Sequence, residues 1–488
     1  MLLIELDRRS GKAAYAQIRD RIAGMVEDGT LQPGDRLPSS RTLAVSAGVH
    51  RTTVVRAYDE LRALGYLDSR SGAYTTVRRR ARLPATVDRS EDRGDGTLLD
   101  WHRTSASPLF PDGPPFTAAA ASDVTDFERL AADPSLAPET DLRRCLRSAL
   151  AGDGPAAVDY AAPAGWPPLR ATLSRRLRAH GVAVSADEIL ITHGAQQALD
   201  LVLRLLTRPG DQVAVEAPTY GMLHPLLRLH DVTPVEVAMG TDGLDIDILS
   251  STLQHARIRF VYTMPNFHNP TGITTDQAHR ERLLALCERH GTPIVEDGFE
   301  EEMKYFGRAV LPVKSMDICG IVLYVGTLSK VVFPGLRVGW IAAPREAMDQ
   351  LTCIQHATCL AANTLVQAAV DRFLTSGDFE AYLRRAHRVY RRRMQALLAG
   401  LERHLPSGIV WTRPAGGYTL WLSLPQPVAV EAALIEELSE AGVRVAPGSW
   451  YFASPPPLAH LRLSIACVEE ARIEEGCQRL GETLRRWT

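Results

Sequence analysis

The chain has 488 residues, 45% hydrophobic and 23% charged, with a net charge of -2; the length allows about two to four domains, and the composition is ordinary for globular protein. No apolar run reaches the roughly 18 residues of a membrane span, and the start, Met1-Leu2-Leu3-Ile4-Glu5-Leu6-Asp7, is too briefly apolar and too soon acidic for a secretory signal. The seven cysteines are scattered without paired spacing, which points to reduced thiols in a cytoplasmic protein and to neither disulfides nor a metal site.

Charge is spread unevenly. Residues 1–82 hold fifteen Lys and Arg against nine acids, a surplus of +6, which leaves -8 for the remainder. A small basic head on an acidic body points to nucleic acid; the bland alternative is a charged surface without a partner.

Along the chain, Ile18, Ile22, Met25 and Val26 form one stripe of a helix over 13–28. Gln32-Pro33-Gly34-Asp35 stops it. Ser39-Ser40 can cap a short helix holding Leu43, Ala44 and Val45, and Gly48 turns the chain. A third helix runs from about Arg51 to Leu64. A strand then begins at Gly65, with a hairpin tip at Ser71-Gly72 and a return over Ala73–Val77. Residues 78–97 mix charges and read as a flexible linker. Beyond residue 140, short apolar runs at 189–192, 212–216, 259–262, 293–296, 321–325 and 339–342 alternate with helical stretches, the pattern of an α/β domain with a largely parallel or mixed sheet. From about residue 361 a long basic helical stretch runs through Arg393. A strand over Tyr418–Leu424, a helix at 429–441 and a final helix from Val468 suggest a smaller α+β subdomain.

Ser39-Ser40-Arg41-Thr42-Leu43-Ala44, followed by Gly48-Val49-His50-Arg51-Thr52-Thr53-Val54, resembles the winged helix-turn-helix of GntR-type regulators over roughly residues 5–77. In that motif the second helix of the pair enters the major groove with its first residues at base edges. The resemblance therefore implies DNA contacts by Arg41, Arg51, Thr52, Thr53 and Arg56, with Gly72 letting the wing approach the minor groove. Arg suits guanine edges and phosphates because its planar fork donates in pairs. His50 stands where this family usually has Ser or Thr as helix cap.

A second string, Thr327-Leu328-Ser329-Lys330 then Phe333-Pro334-Gly335-Leu336-Arg337, looks like the Schiff-base lysine segment of fold-type I pyridoxal-phosphate aminotransferases. A buried lysine can lose its proton and condense with an aldehyde. The resemblance implies that Thr327, Ser329 and Arg337 hold the phosphate. It also implies that Ala195 and Gln196, opening a helix after a strand, complete the phosphate cup. Tyr220 would stack on the ring, Asn269 would reach the ring oxygen, and Asp297 would pair with the pyridinium nitrogen to keep the ring an electron sink. Tyr160 would reach the neighbouring subunit's phosphate, and Arg462 would bind an α-carboxylate. The Tyr that many such regulators keep two residues after the aspartate is Phe299 here.

A GntR-type head on this body resembles the MocR/GabR-type regulators. The expected organisation is a winged helix-turn-helix over 1–77, a linker over 78–99, and an α/β, fold-type I aminotransferase-like domain over 100–488 with its smaller C-terminal subdomain. The resemblance implies a homodimeric, pyridoxal 5'-phosphate-dependent transcription factor on a double-stranded operator. It would sense vitamin B6 or an amino acid through external aldimine formation, with residual transaminase activity open. The alternative is an aminotransferase whose head is secondary; the intact head motif favours regulation.

Overall fold

The computed structural model describes residues 4–7, 10–68, 74–78, 123–160, 162–307 and 310–487. The chain divides into two compact units, Met1–Thr104 and Ser105–Thr488. The expected linker, from residue 79 onward, and the expected wing tip at Gly72 lie outside the described residues.

In the first unit, helices α1 (Ala14–Glu27), α2 (Ser40–Ser46) and α3 (Arg51–Ala63) precede a two-stranded wing. The wing strands β1 (Leu67–Asp68) and β2 (Thr76–Val77) are antiparallel, with Leu67 opposite Val77. Ile18, Ile22, Leu43, Val54, Ala57 and Leu61 are each 0% exposed and make a single core. Their 3–4-residue spacing is what places them on one face of each helix. Ser39 caps α2 by accepting the Thr42 N–H at 3.2 Å. At the start of α3, His50 Nδ1 accepts the Thr52 N–H at 3.4 Å, so the imidazole takes the capping position of a Ser or Thr.

The second unit contains β3 (Thr125–Asp126) and then a mixed eight-stranded sheet. Its strands are β4 (Ile189–Thr192), β5 (Gln212–Ala217), β6 (Thr233–Gly240), β7 (Gly243–Leu244), β8 (Ile258–Thr263), β9 (Ile294–Asp297), β10 (Val322–Thr327) and β11 (Gly339–Ala342). The order is β4-β11-β10-β9-β8-β5-β6-β7. Pairings from β6 through β5, β8 and β9 to β10 are parallel, and β11 is antiparallel to both β10 and β4. Strands β4, β9 and β10 are buried at every position, as helices on both faces demand. The carboxyl ends of β5, β8, β9 and β10 therefore open on one edge of the sheet, where α/β folds bind ligands.

The smaller sheet contains β12 (Val410–Trp411), β13 (Thr419–Pro427), β15 (Ala446–Pro447) and β16 (Leu458–Ser464), all antiparallel, while β14 (Val443–Arg444) pairs with β3. Helices Glu431–Glu440 and Glu470–Leu484 accompany it. The basic helical stretch expected from about residue 361 is divided into two helices, Thr364–Thr375 and Asp378–His404. The break is at Gly377, whose φ of +87° is left-handed.

Candidate functional site

Three strand ends and one helix start converge. β9 ends on Asp297, β10 runs through Thr327 to Ser329 and Lys330, and the turn after β5 carries Thr219 and Tyr220. The helix Ala195–Leu206 begins at Gly194 with no side-chain cap, leaving first-turn N–H groups at Ala195 and Gln196 without the partners that a helix interior supplies.

Arg337 reaches this helix start. Its Nη2 donates to the His193 carbonyl at 2.7 Å. A Cβ on Gly194 would lie 3.2 Å from the Arg337 guanidinium, so the glycine (φ +91°) leaves the cation room. Thr327 Oγ1 donates to the Val338 carbonyl at 3.0 Å and accepts the Ser329 N–H at 3.1 Å. The Ser329 hydroxyl is buried without a partner among the described residues. A guanidinium, the Ser329 hydroxyl and a helix N-terminus are a donor set suited to a phosphate dianion, and the Thr327 hydroxyl, donating to Val338, holds the Ser329 N–H in place.

Deeper in, Tyr262 donates its hydroxyl to Asp297 Oδ2 at 2.9 Å, and Oδ1 has no partner among the described residues. Burial pushes Asp297 up to about 7, with the Tyr262 hydroxyl pulling the other way. An acid so desolvated favours a cation beside its free oxygen. Tyr220 donates to Gln196 Oε1 at 3.2 Å, and Asn269 Oδ1 is buried and unpartnered among the described residues. Lys330 is partly buried, and its Nζ donates to the Leu130 carbonyl at 2.7 Å. Burial pushes its ammonium down to about 8, so its proton is lost far more readily than that of an ordinary lysine.

Arg462, on β16, is 5% exposed and donates from Nη2 to the Glu128 carbonyl at 2.8 Å. Its Nε and Nη1 have no hydrogen-bond partner among the described residues. Orphaned donors on a buried cation are an anion receptor in waiting. These free atoms and the Arg337 cup fit pyridoxal phosphate: a phosphate pocket, an acid for a ring nitrogen, an amine for an aldehyde.

Other expected positions stand apart. Tyr160 is 78% exposed. In the head, Arg41, Arg51, Thr52 and Arg56 are exposed and Thr53 is half-buried. Arg51 donates to Ser40 Oγ at 3.3 Å, while Arg56 stacks over the Tyr15 ring at 3.7 Å and faces Glu60 at 3.6 Å. Arg56 is thus already engaged within the head. Sequence reasoning missed Tyr262, Glu300 and the Glu128 and Leu130 carbonyls; these meet the site only through tertiary packing, and no local motif marks them.

Known proteins resemble both parts of the chain. The family "Aminotransferase class I and II" matches residues 132–480, and "Bacterial regulatory proteins, gntR family" matches 14–77. The chain is 31% identical to the uncharacterized HTH-type transcriptional regulator YdcR of Escherichia coli, over 96% of this chain and 99% of that protein. It is 29% identical to the probable rhizopine catabolism regulatory protein MocR of Rhizobium meliloti, over 98% of this chain and 95% of that protein. Among solved structures, LysN, the α-aminoadipate aminotransferase of Thermus thermophilus complexed with N-(5'-phosphopyridoxyl)-L-leucine, superposes with a TM-score of 0.72 at 32% identity, covering 80% of this chain and 99% of that one. The aminotransferase match shows the fold and the cofactor, the gntR head implies DNA binding, and the regulators match along nearly the whole length: the chain belongs to the MocR-type family of pyridoxal-phosphate-dependent transcriptional regulators, a GntR head on a class I and II aminotransferase body.

Proposed function

We propose that the body senses pyridoxal phosphate, a carboxylate-bearing amine, or both, and that its occupancy alters operator binding by the head. The protein would act as a cytoplasmic homodimer. The observation that carries this reading is Arg462: a buried guanidinium with two donors lacking partners among the described residues, close enough to Lys330 for its charge to lower the lysine's pKa. An amino acid presents an amine and a carboxylate together, and this pair of receptors matches both.

The cofactor supplies an aldehyde that condenses with primary amines and a ring that withdraws electrons. Arg337, Thr327 and Ser329 would grip its phosphate with the start of the helix Ala195–Leu206. Tyr220 would cover the ring, Asn269 would meet the ring oxygen, and Asp297 would hold the proton on the ring nitrogen. Lys330 provides the resident amine, whose proton burial makes easier to remove. Arg462 orients the incoming carboxylate and so selects for amino acids. Tyr160, exposed on the single chain, would complete the phosphate site of a neighbouring subunit.

The test is to screen amino acids by visible spectral shift and then titrate the best one against operator binding. Coupling between the two titrations supports the reading. A spectral response with unchanged operator affinity refutes sensing, and keto-acid formation in the same samples assigns the site to transamination instead. A response to pyridoxal phosphate alone makes the cofactor the signal.

A further inference from the structure

The helix Asp378–His404 has two unlike faces. Phe379, Tyr382, Leu383, Ala386, Tyr390, Met394, Leu397 and Leu401 are buried. Arg384, Arg385, Arg388, Arg391 and Arg392 are exposed. At about 100° per residue these five side chains fall within roughly 120° of arc, and at about 1.5 Å per residue they extend over about 12 Å. No acid and no lysine occurs between Glu380 and Glu402. This stripe stands on a portion of the chain, residues 83–488, whose net charge is -8.

The arginines are arranged and only slightly neutralised. Arg385 donates to the Leu136 carbonyl at 2.9 Å, and the Arg391 guanidinium lies 5.2 Å from the centre of the Phe306 ring. These contacts order the cations without cancelling their charge. Of the five, only Arg392 meets an acid among the described residues, Glu470 at 3.0 Å. Arg384 and Arg388 make no hydrogen bond or ion pair among the described residues. Nearby acids are committed elsewhere: Glu302 and Glu380 both pair with Arg176 at 2.7 Å, and Asp378 pairs with Arg144.

Self-repulsion among five cations on one stripe is unfavourable, and a polyanion relieves it. One strand of duplex DNA carries one phosphate per about 3.4 Å of axis, so a stripe of about 12 Å can face about three or four phosphates. Arg, with its planar paired donors, is the better phosphate grip, and it is the only cation this helix uses apart from histidine. We propose that the arginine face of Asp378–His404 is a second DNA-contacting surface, one that binds backbone phosphates of duplex extending beyond the segment held by the head. Contacts of this kind position DNA without reading sequence.

The test uses the full chain and two duplexes built around a segment that footprinting shows it to protect. One is trimmed to the protected core; the other is extended by two helical turns on each side. The salt dependence of affinity is measured for wild type and for a triple variant, Arg384→Ala, Arg388→Ala and Arg391→Ala, whose melting and visible spectrum confirm its fold. On the extended duplex the variant's slope of log K against log salt should fall in magnitude by about 2–3, near 0.9 for each lost phosphate contact. On the trimmed duplex the two proteins should match. An unchanged slope on the extended duplex overturns the proposal, as does an equal loss on both duplexes, which would place the effect in the head. Binding of wild type, but not the variant, to phosphatidylglycerol vesicles with unaltered DNA binding would overturn it in favour of a membrane partner.

Discussion

Arg462→Ala separates ligand recognition from cofactor binding. The side chain lies on β16, with Trp421 of β13 opposite it. In the free protein the substitution removes one charge-assisted hydrogen bond, to the Glu128 carbonyl, worth about 1.5–3 kcal/mol. It also removes two buried donors without partners among the described residues, whose desolvation costs about as much. The two effects oppose each other, so the melting temperature should move little. A docked carboxylate changes the balance. It would fill Nε and Nη1 at once, a paired charge-assisted contact worth about 1.5–3 kcal/mol. At 1.4 kcal/mol per decade that is about ten- to a hundredfold in effector affinity. The assay is the titration midpoint of an active amino acid against operator binding, with colour and basal operator affinity as controls. Arg462→Lys keeps the charge and loses the fork, and should fall between wild type and Ala. An unchanged midpoint in Arg462→Ala, with colour retained, would refute the assignment.

Three further outcomes follow from the geometry. Lys330→Ala should lose the visible band of the covalently held cofactor, while retained noncovalent binding reports the Arg337 cup; an unchanged spectrum defeats the role of Lys330. Arg51→Ala should weaken operator binding by about 1–3 kcal/mol and relax one base position if it meets a base, or lower the salt slope by about one if it meets a phosphate; wild-type binding in both respects removes Arg51 from the interface. Asp297→Asn should change the pH dependence of stability in cofactor-free protein. Its folded value, about 7 against an ordinary 3.8, means that the native state holds a proton the unfolded chain has released. Wild type should therefore lose stability from about pH 4 to 7 relative to the Asn variant, and be level with it below that window. Parallel melting curves across this range would show that Asp297 is not so perturbed.

The site was legible where chemistry and secondary structure coincide along the chain. β4 and β11 stand at the positions their apolar runs predict, and β9 and β10 shift by one or two residues, because a strand covered on both faces must be apolar throughout. Lys330 and Asp297 follow or end such strands, so order in the sequence maps directly to one edge of the sheet. β6 went unseen: Thr233–Gly240 contains Pro234 and lies near the sheet edge, with only Val237 fully buried. In the small domain β12, β14 and β15 are two residues each, too short to carry a periodicity, and the seven-residue β16, although His460–Ser464 alternates, went unread. Tyr262 and Glu300 were illegible for another reason. Glu300 is 0% exposed and accepts the Tyr418 N–H at 3.1 Å, across 118 residues of chain. Burial pushes it up to about 8. Nothing adjacent to Glu300 announces that neighbour; only the fold does. The break at Gly377 shows the reverse case, a backbone requirement outweighing a continuous helical pattern.

The central claim is that an amine-binding site in the body governs DNA binding by the head. The most direct measurement is the operator affinity of wild-type protein and Lys330→Ala, each with and without pyridoxal phosphate and the amino acid that shifts the wild-type spectrum. The account predicts that wild-type affinity changes when both ligands are present, and that Lys330→Ala, though folded and able to bind the operator, loses that dependence. Operator affinity in wild type that ignores both ligands, under conditions where the visible spectrum reports full occupancy, would contradict it.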